Sequence, residues 1–157
     1  MKKLVLIIAL TFVTFISGCS SASTEQKNTY GDNKLIQKEG DSYSFFDRIG
    51  DQDDSKLNIK YSRFYGAETI WNINVEKQGE LKFQLNSEVD KGKFKGVIIS
   101  QKNEITTIFE GEKKGSHSII LPEGMYRFKI VGYDANGKVD VELKLDENMR
   151  STVIKDD

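Results

Sequence analysis

From residue 42 onward the chain alternates between apolar and polar positions in short runs: "SYSFFD", "KLNIKYSRF", "ETIWNINVE", "ELKFQLN", "KGVIIS", "ITTIFE", "SHSIIL", "GMYRFKIVGY" and "KVDVELKL". Gly, Asn, Asp and Lys punctuate them, at a spacing of roughly ten residues and without a helical stripe. This pattern predicts an all-β fold over residues 42–146, an antiparallel β-sandwich, jelly-roll or Ig-like, of about eight or nine short strands. Alternation that gives one face to the core and one to water favours a sandwich over a closed barrel. Pro122, the single proline, falls between two runs. Residues 147–157 carry no clear pattern and read as a C-terminal tail or a brief extra strand.

Register arguments predict two hairpins. Asn136-Gly137 suits a two-residue type I′ turn, which would set Phe128 opposite Leu145, Ile130 opposite Leu143 and Gly132 opposite Val141, with Tyr133 on the outer face beside Asp140. Lys77-Gln78-Gly79 suits a three-residue turn, setting Trp71 opposite Leu85, Ile73 opposite Phe83 and Val75 opposite Leu81. Both registers gather apolar side chains on one face, and a slip of one residue would mix the faces.

The N-terminal part is different. Residues 4–16 are apolar except for Thr11 and Thr14, follow Lys2 and Lys3, and end in Ser17 and Gly18. Charge, apolar run and small residues in that order describe an export signal, residues 1–18, that is too short for a comfortable bilayer span of roughly 20 residues. After it, residues 19–41 are polar, with Leu35 and Ile36 the only aliphatic pair. Such a segment reads as a flexible tether that would hold the domain roughly 25 Å off a membrane.

Ile16-Ser17-Gly18-Cys19 resembles the lipobox of bacterial lipoprotein precursors. The resemblance implies that the Cys19 thiol receives a diacylglycerol and that a type II signal peptidase cuts between Gly18 and Cys19; in that family the new amine is often acylated as well. It implies a lipid-anchored protein at the bacterial cell membrane, facing outward, in the extracytoplasmic or periplasmic space. Two hydrocarbon chains are enough for stable anchoring. Cys19 is the only cysteine, so no disulfide forms within the chain.

Removal of residues 1–18 takes two of the 23 basic residues and none of the 24 acidic ones, leaving a formal balance of −3. Nothing in that balance calls for a nucleic-acid partner. His117 is the only histidine, which excludes two-histidine metal sites, and its neighbours Ser116 and Ser118 point to the opposite strand face. Asp51, Asp53 and Asp54 invite a calcium loop, but an EF-hand starting at Asp51 needs glycine and glutamate where Lys56 and Ser62 stand, and an acidic solvated loop is the simpler reading. The glycines form neither a phosphate loop nor a dinucleotide fingerprint. No catalytic residue, metal or cofactor is expected.

Aromatic residues are the remaining candidates for recognition. Trp71 falls on a core face. Phe64 and Tyr65, where a strand gives way to a loop, and Tyr133, on an outward face, are the candidate ligand contacts. The run "ILPEGMYRFKIVGYDANGKVDVEL" is similar to the closing strands of accessory β-sandwich modules such as pre-peptidase C-terminal domains, sharing a leucine, a turn glycine and an alternating aromatic strand. These residues together suggest a non-catalytic binding domain for a cell-wall, carbohydrate or protein ligand. An assembly subunit of an envelope complex, which would expose a bare sheet edge, is a second reading, and a small hydrolase a third.

Overall fold

The structure, a computed structural model, describes residues 21–154. Eight strands pair antiparallel: β1 (Ser42–Ser44), β2 (Asp47–Gln52), β3 (Lys56–Val75), β4 (Gly79–Ser100), β5 (Ile105–Glu110), β6 (Lys113–Leu121), β7 (Gly124–Leu145) and β8 (Met149–Val153). Three of them are long, at 20, 22 and 22 residues for β3, β4 and β7. A straight strand of that length would run roughly 70 Å. Instead, each bends in its middle and folds back.

The expected sandwich is therefore made differently from the way the sequence suggested. β7 lies between β3 and β4 along its whole length. Its C-terminal half joins the first halves of β3 and β4, flanked by β2 and β6, to make one layer. The other layer combines the N-terminal half of β7 with the second halves of β3 and β4, flanked by β1, β8 and β5. Aromatic rings join the layers: Phe83 meets Phe128 at 5.5 Å, and Tyr61 stacks on Phe94 at 4.5 Å. Trp71, fully buried, packs on Phe128 at 5.3 Å and donates its indole N–H to Asp53 O at 2.6 Å.

Neither expected hairpin forms. Asn136 and Gly137 lie inside β7 opposite Lys91 and Val89, because both halves of β7 find partners in β3 and β4 instead of in each other. Phe128 faces Trp71 and Ile98, not Leu145. Residues 76–78 do connect β3 to β4, but they carry the chain from one layer to the other, so Trp71 pairs with Phe128 and Val153 and not with Leu85. Layers roughly 10 Å apart are within reach of that link. Of the two readings of residues 147–157, a tail or a brief extra strand, the strand forms: β8 adds to the end of β3.

The segment expected as a flexible tether is folded where it is described. Ser23 opens α1 (Thr24–Asn28) with a capping box: its hydroxyl accepts from the Gln26 N–H at 3.2 Å while Gln26 Oε1 accepts from the Ser23 N–H at 2.8 Å. A 3₁₀ turn (Thr29–Gly31) and α2 (Asn33–Gln37), capped by Asp32, follow. Ile36 is fully buried against Ala67, Val97, Ile99 and Val131 on the outer face of the β5/β8 layer. Arg127 donates to the carbonyls of Gln37 and Lys38 at 2.8 and 2.7 Å. Lys129, with no exposed surface, donates to Lys38 O at 2.8 Å and to Asp41 at 2.9 Å, and Thr69 adds two bonds of 2.7 Å to the same carboxylate. Burial pulls the Lys129 ammonium below its ordinary range, against the opposing pull of Asp41.

Candidate functional site

The three bends lie side by side, and each takes backbone into the left-handed region: Arg63 at φ 46° and Gly66 at 100° in β3, Gly92 at 75° in β4 and Asp134 at 47° in β7. Ladder registers shift at the same places. At Gly92 the backbones come too close for a side chain, since a Cβ there would stand 2.2 Å from Asp134 O. The bends also break strand alternation, which decides where the candidate aromatic residues point.

Phe64 turns inward. It has no exposed surface, stacks on Phe45 at 4.3 Å and meets Phe94 edge-on, so it is a core residue and not the ligand contact expected. Tyr65 turns outward and meets Tyr133 edge-on at 5.6 Å. Desolvation, then the neighbouring Asp134, raises the Tyr65 phenol above its ordinary range. The Asp134 carboxylate is held below the usual carboxylate range, chiefly by its hydrogen bond to Lys91, whose ammonium lies 2.8 Å away.

Tyr65, Lys91 and Asp134 line a cleft of about 560 Å³ at the bent end of the sandwich. Phe46 lines it, 71% exposed, with the Arg63 guanidinium 5.4 Å over its ring. Ser21 and Lys27, from the N-terminal segment, form the rim. A second hollow of about 280 Å³ shares Lys27 and is lined by Tyr30, Lys93 and Tyr133. Above the Tyr30 ring stand Lys93 at 5.9 Å and Lys95 at 4.4 Å, and its hydroxyl donates to Glu110 at 2.6 Å. Burial and Glu110 push that phenol well up. The two hollows combine aromatic faces with cations, which suits a flat or anionic ligand group.

Sequence reasoning named Tyr65 and Tyr133 but passed over Phe46, Arg63, Lys91 and Lys27. One signal was available: Phe45 and Phe46 are neighbours in an extended segment, so only one of them can point to the core. Gly18 and Cys19, expected as the cleavage and lipidation residues, lie outside the described residues. The acidic loop does structural work. Asp53 accepts from the N–H groups of Ser55 and Lys56 at 2.7 and 2.8 Å, which lower its carboxyl, and Asp54 accepts from the Val153 N–H at 2.8 Å. Asp51 pairs with Asn58 across β2 and β3. Among the described residues no three His, Cys, Asp or Glu side chains are grouped to hold a metal ion. His117 is a partly exposed residue of β6 opposite Phe83.

No family model matches the chain, and no curated protein does. Among solved structures it is similar to the carbohydrate-binding module CBM6cm-2 of Cellvibrio mixtus lichenase 5A in complex with cellotriose, at 12% identity and a TM-score of 0.35, covering 71% of this chain and 92% of that one. A family 35 carbohydrate-binding module from an environmental isolate gives 8% identity and a TM-score of 0.36, covering 77% and 88%. The enzymatically active domain of tailspike protein 4 from bacteriophage CBA120 gives 8% and 0.38, covering 85% of this chain and 21% of that one. None is similar enough to assign a ligand to this chain.

Proposed function

We propose that the chain is a lipid-anchored, non-catalytic binding protein of the bacterial envelope: Cys19 carries the anchor, the sandwich is the body, and the cleft over the three bends is the binding surface. The observation that supports a binding role is the cluster of Phe46, Arg63, Tyr65 and Lys91 around one cleft, the last three on strands that the core fixes and Phe46 on the link between β1 and β2. Rigid strands position such groups better than loops do.

Two measurements test this. A Cys19→Ser chain should accumulate as uncleaved precursor without fatty-acid label, and normal labelling would overturn the anchor. Separately, Tyr65→Ala with Phe46→Ala should abolish saturable binding of the chain to isolated envelopes while the circular dichroism stays unchanged; retained binding would overturn the cleft. An assembly subunit is the second reading. Ile49 and Ile120, 67% and 57% exposed on the outer strands β2 and β6, favour it, and co-purification lost on Ile120→Lys would select it.

A further inference from the structure

We infer that the cleft docks on the anionic phospholipid headgroups of the same membrane that holds the chain, so that the bent end of the sandwich faces the bilayer. This rests on the anchoring proposed above and names the ligand class of the same cleft. Ser21 lines the cleft, and only Ser20 separates it from Cys19. Two residue steps span roughly 7 Å at most. A lipid on Cys19 therefore brings the rim of the cleft to the headgroup layer, which is itself roughly 5–7 Å deep in each leaflet.

The chemistry of the rim fits that neighbour. Lys27, Arg63, Lys91 and Lys93 line the two hollows against one carboxylate, Asp134, which already holds Lys91. The mature chain as a whole carries an excess of acid, so the lining of these hollows is cationic against the overall sign. Phe46, 71% exposed, and Tyr133, 45% exposed, sit among these cations. Aromatic rings with cations beside them are the side chains that settle at a membrane–water interface. A polymer of the cell wall would have to displace lipid to enter a cleft so close to the anchor.

The test uses the full acylated chain carrying Phe46→Trp, reconstituted in vesicles of brominated phosphatidylcholine alone or mixed with phosphatidylglycerol. Emission of the parent chain, with its buried Trp71, is the baseline. Headgroup docking predicts quenching of the added indole in the mixed vesicles, relieved by salt. Lys27→Gln and Lys93→Gln should each lower the docked-to-undocked ratio about five-fold. If the chain floats with the vesicles and carries its acyl group but shows no quenching, or is quenched equally on phosphatidylcholine alone, the headgroup inference fails while the anchor stands. Protection of the indole from aqueous acrylamide in whole envelopes, without lipid quenching, would assign the cleft to a glycan or protein and overturn it. A mature chain without acyl mass on Cys19 would instead overturn the anchoring itself, and the inference with it.

Discussion

The two layers of the sandwich are built from the same three strands, yet they meet the solvent differently. In the layer flanked by β2 and β6, side chains alternate: Leu57, Ile59 and Tyr61 are buried, while Lys56, Asn58 and Lys60 are exposed. Its outer face carries a polar ladder, in which Asp140 accepts from the side-chain amides of Asn58 and Asn86. In the layer flanked by β5 and β8, whole stretches are buried on both faces: 66–71 in β3, 96–99 in β4 and 128–132 in β7. A sheet with two apolar faces needs a cover on each. The core covers the inner face, and the N-terminal helices cover the outer one through Ile36. A segment that is polar in composition can still be structural, because one isoleucine and a set of buried hydrogen bonds are enough to attach it.

The strongest way to break this contrast is to remove what both layers share. Phe128→Ala opens a cavity between Trp71 and Phe83 and should cost about 4 kcal/mol in denaturant unfolding. A loss under about 1 kcal/mol would mean that the layers do not depend on this contact. Ile36→Ala should cost about 3 kcal/mol, and hydrogen exchange should speed up at 96–99 and 128–132 but not at 56–61. Lys144→Ala, on the bare outer face, should stay within about 0.5 kcal/mol. Exchange rising equally in both layers would refute the cover.

A smaller effect than at Phe128 or Ile36 concerns Lys129. Thr69 still satisfies Asp41 when the ammonium is removed, so Lys129→Met should change stability by only about 1 kcal/mol. The pH dependence is more informative. Burial lowers the folded ammonium pKa below the unfolded value near 10.4, so the unfolded chain binds more protons between the two values. The parent chain should therefore gain stability relative to Lys129→Met as pH rises through that window. A flat difference would mean that the ammonium is not desolvated beneath the N-terminal segment.

Period-2 alternation by itself determined that the body from residue 42 onward is built of strands and that Trp71, Ile73, Phe83 and Phe128 face the core. Continuous apolar runs such as "KGVIIS" carried the sign of a doubly covered layer, and Ser23 with Gln26 carried the capping box that starts the cover. Only the tertiary structure decided the pairing. Alternating strands match one another equally well in any register that keeps the faces apart, so Asn136-Gly137 could look like a hairpin and still lie within a central strand held on both sides. It also decided the site: three bends that are distant in sequence bring Arg63, Lys91 and Asp134 together, turn Phe64 in and Tyr65 out, and place them beside Ser21. Side-chain direction at a bend depends on local left-handed backbone and on the strands alongside, and neither is written in the alternation of the residues.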